Sequence, residues 1–350
     1  SCSLFIACAQ VFLYYLRGIE KPFLYSVGCI IQTFFIAFFS ILFLVILKWG
    51  IRGYFRAYLC ANMITCLYCM IVGEIKIIDI CKKGIDKSLL NSMLKYSIAL
   101  IPNTFMWWIM NASDRVMVST MIGTAANGLY SVSYKIPGLV SVCNTIFNQA
   151  WSYSAIKESD SQDRVEYASR VFEILAIFSA TVSIIILIFL KPVMRMYVQE
   201  SYYMAWKYSP ILLLGNYFLI LGSFVGSTTY TVDKNSVGML KSGVVGAIPN
   251  IILNAILIPI IGISGAAIAT CISYFIVTAY RIYDTYNDFP LRWSSVNINI
   301  AHITMIVATL LCYLAEPYSE IALLFVLFFV FFHYRRLLLN SIVKELLRKR

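Results

Sequence analysis

Long apolar runs separated by short polar segments dominate this 350-residue chain from end to end. A helix needs about 20 mostly apolar residues to cross the hydrocarbon core of a bilayer. Eleven runs of that kind can be marked, at about 1–16, 23–47, 54–73, 96–122, 128–152, 169–190, 207–230, 237–260, 264–282, 297–315 and 320–337. In lipid only helices and closed barrels satisfy every backbone polar group. Runs of this length exclude the alternating strands, about ten residues each, of a barrel. The pattern therefore predicts an all-α, polytopic integral membrane protein of about 11 transmembrane helices.

Composition agrees. The chain is 60% hydrophobic and 13% charged, with a mean hydropathy of +0.79, whereas a soluble domain carries about 25% charged residues. The net charge of +11 does not point to nucleic acid, because the Lys and Arg flank apolar runs, where cytoplasmic loops favour positive charge. Twenty of the 28 fall on one side, including Arg281 and the tail from Arg335 onward. Six fall on the other, among them Lys191 and Arg195, and Arg115 and Lys135 lie within spans. This bias predicts a cytoplasmic C-terminus and a cytoplasmic stretch from Glu74 to Lys95. The segment from Lys157 to Arg170 is expected at the same surface, and the tail after Arg335 reads as a basic amphipathic helix suited to anionic headgroups.

Chemistry of the enzymatic kind is scarce. With two His among 350 residues, the ten Cys cannot build a zinc site of Cys-His spacing. Cys66 and Cys69 form a CxxC inside an apolar run and are expected to be lipid-facing or packed thiols. The run at residues 1–16 lacks the basic start and small-residue cleavage site of a signal peptide. No cofactor or metal is called for, and the short extracytoplasmic loops argue against an enzyme.

One internal repeat is visible. Leu44–Gly53 aligns with Ile256–Gly265 at an offset of 212, each at an extracytoplasmic turn between apolar helices. If the second half opens near Tyr96, this offset places its counterpart before Ser1. The expectation is a piece of a longer transporter lacking about three helices of its first half, with residues 1–83 as the last three helices of an N-terminal lobe. Residues 84–283 would form a six-helix C-terminal lobe, and 284–350 a terminal helix pair with a basic tail.

Ionisable groups inside spans are costly and mark candidate sites. Asp114 and Arg115 sit seven or eight residues from the extracytoplasmic end of their run, and Lys135 lies at a similar position in the next. At 1.5 Å per residue the three lie within about 3 Å in depth. One reading pairs Asp114 with Lys135 or Arg115 to lock two helices. The other leaves a cation to grip an anionic headgroup, for which Arg offers a bidentate fork and Lys a point charge. Pro137 removes a backbone donor and is expected to bend its helix as a hinge. Asn111, Asn148 and Gln149 are further cavity candidates. Asn144 and Asn148 share a face and, with Trp151, suit either sugar hydroxyls or helix gluing. His302 is expected to be structural.

The stretch Leu100–Arg115, IPNTFMWWIMNASDR after the Leu, is followed by Gly123–Pro137 and by Ile146–Trp151. Together these segments resemble the polysaccharide biosynthesis membrane proteins, the Wzx-type flippases of the multidrug/oligosaccharidyl-lipid/polysaccharide exporter (MOP) superfamily. The resemblance is specific over about 96–156 and looser elsewhere. It implies two six-helix lobes in a V, here with an incomplete first lobe, and two added C-terminal helices. It implies alternating access that flips undecaprenyl-pyrophosphate-linked oligosaccharide repeat units across the bacterial inner membrane, for O-antigen, capsule or exopolysaccharide. Partners would be the lipid-linked substrate, membrane lipids and polysaccharide polymerase machinery, with no nucleic acid. Asp114, Arg115, Lys135 and Pro137 match motif positions. The alternative within the same fold is a cation-coupled multidrug exporter, for which a carboxylate beside an arginine is a poor proton carrier.

Overall fold

All eleven apolar runs are helical in a computed structural model, which describes residues 2–74, 86–157 and 162–348. In chain order the helices are α1 (Cys2–Gly18), α2 (Pro22–Ser40, running into a π-helical turn, Ile41–Ile46) and α3 (Gly50–Val72). They continue with α4 (Lys87–Met121), α5 (Thr124–Ser133), α6 (Lys135–Lys157), α7 (Arg164–Tyr197) and a 3₁₀ segment, Glu200–Lys207. The last are α8 (Ser209–Thr228), α9 (Ser236–Ile261), α10 (Ile263–Thr285), α11 (Val296–Leu311) and α12 (Tyr318–Arg348). There is no strand among the described residues.

Seven described helices are long and apolar enough to cross a membrane, and Ser3–Gly18 and Val296–Leu311 are shorter apolar helices. Two expected spans differ: the run at 96–122 lies in α4, which is not among the seven, and the run at 128–152 is two helices, α5 and α6, broken at Tyr134. The expected cytoplasmic cations Lys76, Lys82 and Lys83 lie outside the described residues, as does the middle of the segment from Lys157 to Arg170. The tail is helical to Arg348. Helix starts follow local chemistry. Asp86 accepts from the backbone N–H groups of Ser88 and Leu89 at 2.9 and 3.2 Å. Asn235 accepts from that of Gly238 at 2.8 Å and Ser295 from that of Ile298 at 3.2 Å, each satisfying a donor the helix cannot.

The chain divides into two units, Ser1–Leu90 and Asn91–Arg350. In the first, α1, α2 and α3 pack around Leu13, Leu16 and Cys69. Gln32 donates to Asn62 at 2.8 Å, an amide bridge between α2 and α3. Cys66 and Cys69 are free buried thiols, packed rather than lipid-facing.

In the second unit α8 is the central post, packed against α6, α7 and α10. Small residues let it approach α10 closely. A Cβ at Gly215 would lie 2.9 Å from the Cys271 Cα, and one at Gly222 would lie 2.5 Å from the Thr278 hydroxyl. The terminal pair, α11 and α12, is pinned at both ends. At one, Lys191 donates to the Leu314 carbonyl and the Ser319 hydroxyl at 3.0 and 2.8 Å, and Arg195 pairs with Glu316 at 3.1 Å. At the other, Glu173 accepts from Ser295 and Asn297 at 3.1 and 2.7 Å, and Tyr334 donates to the Asn297 carbonyl at 2.6 Å.

Two cations assigned to flanking loops are in fact buried. Lys191 is 4% exposed and Arg281 6%. Arg281 donates to the Gly222 carbonyl at 2.8 Å and the Ser242 hydroxyl at 3.1 Å, tying α8, α9 and α10 together. Lys191 lies within α7, which runs past the apolar stretch ending at 190, and Arg281 lies near the end of α10, inside the run at 264–282.

The repeat is matched in backbone geometry. Gly50 and Gly262, 212 apart, start α3 and precede α10 with φ of +56° and +64°, a left-handed conformation that only glycine adopts freely. Three residues on, a Cβ at Gly53 would stand 3.0 Å from the Phe43 carbonyl oxygen, and one at Gly265 2.4 Å from that of Leu257. Gly265→Ala should therefore destabilise the protein by about 1–3 kcal/mol, the range for overpacking, and Gly53→Ala by less. Thermal unfolding in detergent measures both, and equal midpoints for the two variants and the parent would contradict the packing.

Candidate functional site

The site grows from a break in a helix. Pro137 has no N–H, so the Ser133 carbonyl one turn earlier has no intrahelical donor. The Ser209 hydroxyl, at the start of α8, supplies one at 3.1 Å. Asn216 fills the next turn, accepting from Ser141 at 2.7 Å and donating to the Pro137 carbonyl at 3.5 Å. The expected bend at Pro137 is thus a short interruption stitched to α8 by side chains, and Tyr134 occupies the junction.

This break presents Tyr130 and Tyr134 to α4. Tyr130 donates to the Asp114 carboxylate at 2.6 Å and Tyr134 at 3.1 Å, and Thr270 of α10 adds a third hydroxyl at 3.2 Å. The backbone N–H of Arg115 donates to the other oxygen at 3.0 Å. Asp114 is fully buried. A carboxylate so far from water is tolerated only when its lone pairs are taken by donors, and charge-assisted bonds of this kind are about twice as strong as neutral ones.

The ion pair of the first reading is absent: among the described residues Asp114 has no ion-pair partner within 4.0 Å. The reason is helical geometry. Neighbouring residues point about 100° apart, so Asp114 faces α5 and α10 while Arg115 faces outward. Arg115 is exposed and its guanidinium stacks over the Tyr134 ring, 5.2 Å from the centroid. Lys135, at the first turn of α6, is exposed as well. Tyr134 therefore joins the two halves of the site, its hydroxyl on the carboxylate and its ring beneath the cation.

Other candidates separate into two groups. Asn111 is exposed on α4, donating to the Trp107 carbonyl at 2.7 Å and accepting from Tyr274 at 3.2 Å. Gln149 is exposed on α6. Asn148 is half-buried, bonded to Asn144 at 2.7 Å and accepting from Ser227 of α8 at 3.3 Å. Trp151 is buried, its indole N–H on Thr228 at 2.8 Å, and glues helices rather than facing a ligand. His302 shares a 2.7 Å hydrogen bond with Tyr217 inside the bundle, the expected structural role.

Tyr130, Tyr134 and Thr270 are contributors the sequence pattern did not single out. Tyr130 and Tyr134 are four apart and hence on one helix face, but aromatic residues at that spacing are ordinary in a membrane helix. A second polar layer lies alongside: Ser113 donates to Asn250 at 2.9 Å, and Asn254 donates to the same oxygen at 3.2 Å. Among the described residues no three His, Cys, Asp or Glu side chains gather as metal ligands. One carboxylate with hydroxyl and amide oxygens suits a hard cation rather than zinc.

Asp114→Ala should cost about 1–3 kcal/mol by leaving buried hydroxyls without their acceptor. Combining it with Tyr130→Phe should cost less than the sum of the two single changes, because they share one bond. A double-mutant cycle by thermal or denaturant unfolding reads this directly, and strict additivity would separate Tyr130 from Asp114.

Among curated proteins none matches the sequence. Among solved structures the chain is similar to the lipid II flippase MurJ in an inward closed conformation, with a TM-score of 0.61 at 16% identity. The match covers 97% of this chain and 72% of that one, so the fold is MurJ-like. The family model described as polysaccharide biosynthesis protein matches residues 20–205. That interval takes in α2 to α7 and every hydrogen-bond partner of Asp114 except Thr270, and the chain belongs to this polysaccharide biosynthesis family.

Proposed function

We propose that the protein is a flippase for undecaprenyl-pyrophosphate-linked oligosaccharide repeat units, serving O-antigen, capsule or exopolysaccharide at the bacterial inner membrane. The observation that carries the proposal is an exposed guanidinium on α4, Arg115, stacked on a tyrosine whose hydroxyl is anchored to a buried carboxylate. An unpaired cation in a span is costly unless it meets water or an anion. A guanidinium is shaped to take phosphate oxygens two at a time. Lys135 adds a second positive charge, and Asn111 and Gln149 add amides on α4 and α6 that can meet sugar hydroxyls. Alternating access would carry the glycan and pyrophosphate past these groups while the polyprenyl tail stays in lipid.

No covalent step is required of such a protein. Pro137, at the break between α5 and α6, is the proposed hinge. The C-terminus is assigned to the cytoplasm by the cation bias, and polysaccharide polymerase machinery is a natural recipient of the product.

The second reading, a cation-coupled exporter, draws support from one feature. Asp114 faces hydroxyls instead of Arg115, so the arginine does not pin its charge through an ion pair. The buried amide layer beside it leaves Asn250 Nδ2 and Asn254 Oδ1 without protein partners.

Gene deletion should cause lipid-linked repeat units to accumulate inside the cell, measured by lipid extraction and mass spectrometry. Arg115→Ala and Lys135→Ala, at unchanged membrane levels, should each reduce export of surface glycan. Unchanged lipid-linked pools with heightened drug sensitivity would favour the exporter. Normal export by both variants would remove the headgroup-binding role.

A further inference from the structure

A cavity of about 730 Å³ opens between α7, α8, α10 and α11, away from Asp114. Its floor is apolar and aromatic: Phe172 and Phe218 are buried there, and the Phe218 and Phe275 rings meet edge to face at 5.1 Å. Its rim is different. Tyr283 and Trp293, both exposed, line it together with Asp284.

Asp284 is the penultimate residue of α10, and Trp293 stands shortly before α11. Aromatic residues at such positions mark the membrane–water interface. Phe275 lies nine residues earlier in the same helix, about 14 Å deeper. The cavity therefore runs from headgroup level into the acyl region, and its volume lies within the range of small-molecule sites, about 300–1,000 Å³.

The rim carries a negative charge. Asp284 accepts from two neutral phenols, Tyr230 at 2.6 Å and Tyr280 at 3.4 Å, and has no ion-pair partner among the described residues. Burial and the neighbouring carboxylate raise the Tyr230 pKa, so this loop phenol stays protonated as a donor. Arg281, one turn earlier, is turned into the bundle, donating to the Gly222 carbonyl and Ser242. A carboxylate sharing a cavity rim with an indole and a phenol selects a cation, and a group bearing N–H donors can bond the carboxylate as well as meet the rings.

We propose that this cavity binds an aminophospholipid of the ethanolamine type. Its primary ammonium meets Asp284 and the Tyr283 and Trp293 rings, and its acyl chain lies on Phe172, Phe218 and Phe275. The site is separate from the Asp114 and Arg115 region and does not rest on the proposed transport activity.

Native mass spectrometry of the full chain, with phosphatidylethanolamine, phosphatidylcholine and phosphatidylglycerol of identical acyl chains, tests it. Phosphatidylethanolamine should be retained about tenfold or more over the other two, the size of a hydrogen bond to a charged group. Asp284→Asn keeps the Tyr230 acceptor and should abolish that preference at unchanged thermal stability. Trp293→Ala should weaken retention of phosphatidylethanolamine severalfold. Equal retention of all three lipids would show an acyl-chain groove only and overturn the proposal. A preference for phosphatidylcholine, or an ethanolamine preference that survives Asp284→Asn, would also overturn it.

Discussion

Everything around the candidate site follows from one buried carboxylate that has to be kept bonded where water cannot reach it. Asp114 recruits hydroxyls from three places in the chain: Tyr130 on α5, Tyr134 at the α5–α6 junction and Thr270 on α10. These bonds fix how α4, α5 and α10 sit against one another. They are possible because Pro137 interrupts the helix that carries the tyrosines, and the interruption is tolerated because Ser209 takes up the freed Ser133 carbonyl. A polar group in lipid costs several kcal/mol when unpaired. The carboxylate, the break and the serine therefore depend on one another, and removing any one strands a polar atom of another.

The same accounting governs the buried cations, which are satisfied without carboxylates. Lys191 uses a carbonyl left over at the end of α11, a serine hydroxyl and the face of Trp206, 4.7 Å from its centroid. Arg281 uses a carbonyl of α8, Ser242 and the ring of Trp107 at 5.5 Å. Removing one partner of a buried ion pair exposes the full desolvation cost of the other, whereas backbone carbonyls belong to the helix and cannot be lost by substitution. Room for Arg281 comes from Gly226, where a Cβ would stand 2.7 Å from the guanidinium. Arg281 and Lys191 are held by these partners, whereas Arg115 and Lys135 are exposed on α4 and α6.

What could be read from sequence was whatever the solvent imposes. All eleven apolar runs are helices because lipid permits little else, and the glycine turns at Gly50 and Gly262 were visible because a left-handed residue demands glycine. The mutual orientation of side chains was not legible. Asp114 and Arg115 are adjacent in sequence and opposite in charge, yet they face different surroundings, and the donors Asp114 does use come from as far away as Thr270. Lys191 looked like a loop charge because α7 extends past its apolar run, and Arg281 because it stands at the very end of its run. Their partners are backbone carbonyls, which carry no residue signature at all.

The absence of a contact between Asp114 and Arg115 alters how the two chemical readings compare. With an ion pair, the carboxylate would be a static anchor and the arginine spent. Separated by Tyr134, the guanidinium remains free to meet phosphate oxygens while the carboxylate sets the position of the ring beneath it. Cation recognition at the outer face and charge burial at the inner face then share one residue. A movement of α5 relative to α4 would act on both at once, because Tyr134 cannot shift without changing its bond to Asp114 and the platform under Arg115. Pro137 lies three residues after that tyrosine, and the backbone bond it omits, to the Ser133 carbonyl, spans Tyr134 and would otherwise resist such a movement. A mobile headgroup contact can thus be built from a buried carboxylate, a tyrosine and a proline break within the family's matched segment.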